Sequence, residues 1–159
     1  MSLIPHLAKH FREVHYGVNW TWSNIKAVLS DVTWQESIEK VGDLNTIVAL
    51  TYHIHYYVKT LVKVMEGDPL DAHDKYAFDH PEIKNQQDWE SLLKDVWSYA
   101  DKLAKLLEQL PEERLWETFS QEKYGNYFRN ITGVIEHTHY HLGQIVIIKK
   151  LIRSKIELF

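Results

Sequence analysis

Cysteine is absent from this 159-residue sequence, and glycine (six) and proline (four) are scarce. Without cysteine there is no disulfide, no thiolate ligand and no cysteine nucleophile, so imidazole and carboxylate are the side chains left to hold a metal. Few chain breakers and long periodic stretches point to helices. Also lacking are an apolar run of membrane-spanning length and, at the N-terminus, the apolar core of a signal peptide. A soluble, cytoplasmic protein with no membrane partner is therefore expected. A net charge of −4 and a pI near 6.2 give no basic footprint for nucleic acid, and none is expected as a partner.

What the chain has in quantity is aromatic and apolar surface: six Trp, nine Tyr and a hydrophobic content of 45%. The length suits one domain with a real core, spanning residues 1–159. Apolar positions recur at helical spacing in four long segments. The first runs over residues 3–31, with Leu3, Leu7, Phe11, Val14, Val18, Trp22, Ile25 and Leu29 on one stripe. Thr33, with Glu36 three residues on, predicts a capping box for a short helix through Glu39. A second long helix runs from Leu44 to Met65 and ends at Gly67-Asp68-Pro69. Residues 68–87 read as a long surface connection. Asp88 is the predicted N-cap of a third helix from Trp89 to Gln109, which stops before Pro111. Residues 111–125 form another irregular link, and the fourth helix extends from Asn126 to Ser154. The predicted class is all-α, a four-helix bundle with long links after the second and third helices.

The histidines carry the chemistry. His137 and His141 form a His-x-x-x-His pair, four residues apart on one helical face. They share that face with Val134, Thr138, Ile145 and Ile148, the inward stripe of the fourth helix. Two desolvated imidazoles on an apolar stripe need compensation, and a metal ion supplies it. The second helix offers His53 at the margin of its buried stripe, while His55 points to one side. Three imidazoles from two facing helices leave coordination positions open, the arrangement of catalytic rather than structural zinc. His139 projects away from the pair. His6 and His10 flank the first helix's stripe as solvated residues, and His15 lies nearer its inward face as a candidate supporting group. His73 and His80 sit in the long link, where a surface role is expected. The reading that competes with metal is a core of hydrogen-bonded histidines with no ion at all.

The run Thr51-Tyr52-His53-Ile54-His55-Tyr56-Tyr57, followed about eighty residues later by Gly133-x-x-Glu136-His137-x-x-Tyr140-His141-x-Gly143-Gln144-Ile145, resembles the DinB-like superfamily. Asn19-Trp20 and Gly67-Asp68-Pro69-Leu70 look like the same group of bacterial proteins. The resemblance covers essentially the whole chain. It implies an up-down-down-up bundle, a divalent metal (zinc or nickel foremost) held by His53, His137 and His141, and frequently a homodimer. It also implies relatives that are thiol S-transferases using bacillithiol, mycothiol or glutathione, and a mycothiol-dependent maleylpyruvate isomerase. On that footing the expected function is a metal-dependent S-transferase acting on a small-molecule electrophile, with the thiol supplied by a cosubstrate. The alternative is a metal or small-ligand binding protein without catalysis. The links at 68–87 and 111–125 are the segments expected to shape a substrate pocket, whose thiol-binding residues the resemblance does not assign.

Overall fold

Thr46 opens the helix that carries His53: its hydroxyl accepts the amide of Ala49, the hydrogen bond that satisfies a first-turn donor. The computed structural model describes residues 2–156. It contains α1 (Ile4–Tyr16), α2 (Ile25–Leu29), α3 (Trp34–Ile38), α4 (Ile47–Met65), α5 (Gln86–Glu108) and α6 (Tyr127–Ile156), with short 3-10 turns in the two long links. α1, α4, α5 and α6 are the long helices, and no strand occurs among the described residues. The all-α class predicted from the periodicity is found. No helix among the described residues is long and apolar enough to cross a membrane.

The first predicted helix, residues 3–31, is instead two helices separated by a loop. The apolar period runs through the break, but asparagine side chains capture the backbone there. Asn19 donates to the carbonyls of Glu13 (3.0 Å) and Ser23 (2.8 Å) and accepts from the amide of Thr21 (2.9 Å). Asn24 then caps α2 through the amide of Ala27 at 2.8 Å. These local bonds compete with helix continuation. Val18 and Trp22, placed on the buried stripe by period alone, are 70% and 86% exposed.

Other boundaries follow their caps. Thr33 and Glu36 form the predicted capping box, with Thr33 N donating to Glu36 Oε2 at 2.8 Å and Glu36 N to Thr33 Oγ1 at 3.2 Å. α4 starts at Ile47 rather than Leu44 because Thr46 is the cap. It ends in a Schellman arrangement: Asp68 N bonds to Lys63 O, Gly67 N bonds to Val64 O, and Gly67 takes φ 102°. The N-cap of α5 is Asn85, not Asp88. Asn85 Oδ1 accepts the Asp88 amide, while Asp88 Oδ2 accepts the amide of Lys84. Asn126 Oδ1 accepts the amide of Arg129 at the start of α6.

Contacts between helices set their directions. Tyr16 reaches Trp97, and Arg12 reaches Glu108, so α1 and α5 run oppositely. His55 meets Tyr99 and Glu66 meets Lys102, so α4 and α5 advance together. His53 faces both His137 and His141, and α4 and α6 pack along their length. α4 thus lies between α5 and α6 and is buried on two sides, which puts Leu50, Ile54, Val58, Leu61 and Val62 in the core and carries His53 and His55 inward with them. Trp89, fully buried, ties the start of α5 to the α2–α3 corner by donating Nε1–H to the carbonyl of Val32 at 3.0 Å. At the other end of the chain, Lys149 and Arg153 of α6 hold Asp31, and Arg153 also takes Glu36.

Candidate metal centre

Helical spacing and cross-helix packing together bring three imidazoles to one point. His137 and His141 lie one turn apart on α6, and His53 faces them from α4. His137 Nε2 lies 3.0 Å from His53 Nε2 and 3.1 Å from His141 Nε2. Ring nitrogens from the three residues all fall within 4.8 Å of one another. Three nitrogens bound at about 2.05 Å around a tetrahedral ion would stand about 3.3 Å apart. His53 and His141 are each only 8% exposed.

The outer nitrogens explain which lone pairs face inward. His53 Nδ1 lies 3.2 Å from the carbonyl oxygen of Ala77, and His141 Nδ1 lies 2.6 Å from Gln144 Oε1. Both partners are acceptors, so both Nδ1 atoms carry the proton and both Nε2 atoms present a bare lone pair to the centre. His137 Nε2 stands between those two lone pairs, and a single N–H there satisfies only one of them. The Nδ1 of His137 is buried without a partner. A neutral triad on its own is therefore under-satisfied, at about 1–3 kcal/mol for each unmet group. One cation accepting all three Nε2 lone pairs removes the conflict, so the donor set fits a divalent ion.

Electrostatics keep the ligands ready. Burial, then the neighbouring His141 and His53, pushes the His137 imidazole down to about 4. Burial, then His141, lowers His53 as well. Neutral imidazole is the metal-binding form, so protons compete poorly for these two ligands near neutrality. The wall around the triad is aromatic: Phe78 stacks on His53 at 4.0 Å with planes 9° apart, and Tyr57 sets its ring edge-on to His53 (5.1 Å) and His137 (4.8 Å).

The other histidines go elsewhere. His55 is buried rather than lateral, because α5 covers that side of α4; it packs edge-on to Tyr99 at 5.3 Å. His139 leaves the triad for α1, where its ring meets His10 at 5.8 Å. His15 is inward as its position suggests, 1% exposed, but its Nδ1 bonds to the Phe11 carbonyl at 2.9 Å and supports no ligand. Burial, first, lowers it to about 4. His73 and His80 remain on the link, His73 beside Asp71 and His80 against the carbonyl of the next residue, Pro81.

Four supporting groups were not identified from sequence: Gln144, Tyr57, Phe78 and the carbonyl of Ala77. Gln144 had a signal, since a residue three past His141 shares its helical face. The contribution of Ala77 and Phe78 had none, because it depends on how the link folds back over α4. Gln144→Ala is expected to weaken metal binding about 10–100-fold, the usual consequence of removing a ligand's outer hydrogen-bond partner, with His141 still present. Competition against a fluorescent chelator measures it, and an unchanged affinity would remove Gln144 from the site.

Both links also border a cavity of about 520 Å3, which continues past Tyr57 along α4 and α6. Its lining draws on Leu70 and Asp74 from the first link and on Phe119 and Tyr124 from the second.

The family model of the DinB superfamily matches residues 18–145, a stretch that contains all three histidines. The chain belongs to the DinB superfamily. No curated protein and no solved structure matches it. The family match therefore agrees with the resemblance carried by the histidine motifs. Within this superfamily member, the α4–α6 crossing is where the three-histidine cluster forms.

Proposed function

We propose that this protein is a divalent-metal-dependent S-transferase that joins the sulfur of a low-molecular-weight thiol to a small electrophile. The observation that carries the reading is the convergence of the His53, His137 and His141 Nε2 atoms, two of them with lone pairs fixed inward by outer acceptors. A divalent ion held there would supply a Lewis acid that binds sulfur and favours the thiolate, the nucleophilic form. In the transfer the thiol gives its proton to solvent, and the sulfur–carbon bond forms as the carbon's bond to the leaving group breaks. That group departs with the bonding pair, or, in a strained ring, the ring heteroatom keeps the pair and takes up a proton from solvent. The chain has no cysteine, so the reacting sulfur comes from the cosubstrate.

The residues present support the remaining tasks. The three imidazoles hold the ion from one side, and the aromatic wall of Phe78 and Tyr57 limits water around it. Leu50 shares a cavity with Gln144 and Ile148 while Leu61 shares one with Asn130 and Val134, so α4 and α6 run oppositely, and with the parallel α4–α5 pairing this supports the up-down-down-up order. A homodimer belongs to the same reading, supported by Tyr140, Ile147 and Leu151, which are exposed along one side of α6; light scattering tests it. A cytoplasmic setting fits a reaction that draws on a pool of reduced thiols.

The test is elemental analysis of protein purified without a metal-binding tag, followed by assays with bacillithiol, mycothiol and glutathione against a chlorodinitrobenzene reporter. About one zinc or nickel ion per chain and thiol-dependent turnover that a chelator abolishes are expected. Metal without turnover for any thiol would make this a binding protein. No tight metal would leave the histidines as a core cluster.

A further inference from the structure

The cavity beside the triad has its own chemistry. Tyr57, whose ring touches His53 and His137, also lines the cavity, so the space begins one side chain away from the triad. From there it follows the two helices: Thr60 and Leu61 lie one turn beyond Tyr57 on α4, and Val134 and Asn130 lie one and two turns before His137 on α6. A volume of about 520 Å3 is in the range that encloses a small organic molecule.

The cavity surface is more apolar than polar, and Leu61, Leu70, Phe119 and Val134 are among the residues that line it. Polar groups at the margin are largely committed. Asp74 accepts the Tyr57 hydroxyl at 2.9 Å, and the Asn130 amide donates to the carbonyls of Tyr124 (3.0 Å) and Asn126 (2.8 Å). The lysine at the rim, Lys75, places its ammonium 4.6 Å from the Tyr76 ring and sits next to Asp74 in sequence, so the lining carries no excess of positive charge. A thiol cosubstrate bearing several carboxylates or phosphates finds little to recognise here; a neutral aromatic molecule does.

The roof is held as one piece. Tyr56 accepts the amide of His73 (2.8 Å) and donates to its carbonyl (3.3 Å), Tyr57 donates to Asp74, and Ala77 accepts from His53. Consecutive turns of α4 therefore bind the metal-ligand side and the cavity side of the same link.

We infer that this cavity is the binding site for a neutral, largely aromatic electrophile, whose apolar body rests between Leu61, Leu70, Phe119 and Val134 and whose reactive end passes Tyr57 to the triad. The inference rests on the metal-dependent reading for the reaction, but the binding itself is independent of metal. Val134 and Leu70 set the substrate's size, because one lies on the helix wall and the other on the link.

The experiment uses N-phenylnaphthylamine, a neutral probe that fluoresces on entering an apolar site, and its anionic counterpart, anilinonaphthalene sulfonate. Wild-type protein is expected to bind the neutral probe at least about 10-fold more tightly than the anion. Val134→Trp and Leu70→Trp, which fill the space from two sides, are each expected to weaken the neutral probe at least about 10-fold with metal content unchanged. Folding is checked by circular dichroism, and the two variants lie on different elements so that one misfolding leaves the other decisive. The variant lacking all three histidines, His53→Ala with His137→Ala and His141→Ala, is expected to retain probe binding. Unchanged affinity in a folded tryptophan variant, preference for the anion, or loss of the probe with the histidines would overturn the assignment. Retained probe binding in a wild-type protein that holds no metal would count against the S-transferase reading alone.

Discussion

Chelation of the wild-type protein is expected to lower its melting temperature by about 5–10 °C, and His137→Ala is expected to abolish that response along with stoichiometric metal. The size follows from linkage. An ion present at about 100 times its dissociation constant stabilises the folded chain by about 2.7 kcal/mol, and each kcal/mol moves the midpoint of a domain this long by about 2–4 °C. His137 is the informative ligand because its Nε2 is the one within 3.1 Å of both others. Removing it should exceed the roughly 10–100-fold effect of deleting an outer partner. In metal-free protein the same substitution removes a buried, unpartnered Nδ1 but also leaves the His53 and His141 Nε2 lone pairs without a donor and takes away the ring that packs on Tyr57, so it should cost about 1–3 kcal/mol. The variant melting somewhat below metal-free wild type, with only wild type rising on zinc or nickel addition, is the expected pattern. One ion per chain retained by His137→Ala would end the site assignment.

Acid titration of the same pair extends the argument. The His137 imidazole is held near 4 in the folded chain, mainly by burial, and takes its ordinary value of 6.5 when unfolded. Between those values the unfolded chain binds the extra proton, so stability is complete above pH 6.5 and is lost as pH falls toward 4. Bound metal excludes that proton and is released over the same acid window. His137→Ala removes this contribution, and its dependence of stability on pH between 6.5 and 4 should be shallower than that of metal-free wild type.

How far the site could be read in advance depends on which forces place each residue. His137 and His141 were legible because helical periodicity alone puts them on one face, and His53 because it sits at the edge of a stripe that had to face them. His55 was misplaced for a physical reason: a wheel shows one buried stripe, while α4 is covered by α5 on one side and α6 on the other. The loop at residues 17–24 was hidden because Val18 and Trp22 continue the apolar period while Asn19 and Asn24 end the helix. Asparagine at such spacing is a stop signal that period counting overlooks. The cap of α5 shows the reverse, since Asp88 is a fair N-cap residue by type and Asn85, three residues earlier, took the role. Ala77 and Phe78 had no local mark at all, since their places over His53 arise from the path of the link between α4 and α5.

Trp89→Ala is expected to remove about 3–5 kcal/mol of stability, enough to unfold a marginal chain at moderate urea. Trp89 is fully buried, so the substitution leaves a large hole in the core, and its Nε1–H no longer meets the carbonyl of Val32. That carbonyl lies at the α2–α3 corner, beside Asp31 and the capping box of Thr33 and Glu36, which together hold Lys149 and Arg153 at the end of α6. The loss therefore reaches beyond packing, because the corner it loosens also anchors the ligand helix from its far end. Trp89→Phe separates the two parts: it keeps most of the apolar volume and lacks the donor, so about 1–3 kcal/mol of the effect should remain. Urea midpoints at constant slope give both values. Saturating metal should raise the midpoint free energy of Trp89→Phe by the same amount as wild type, since that increment depends only on ion concentration relative to the dissociation constant. A smaller increment in the variant would show that the corner and the triad are energetically coupled through α6.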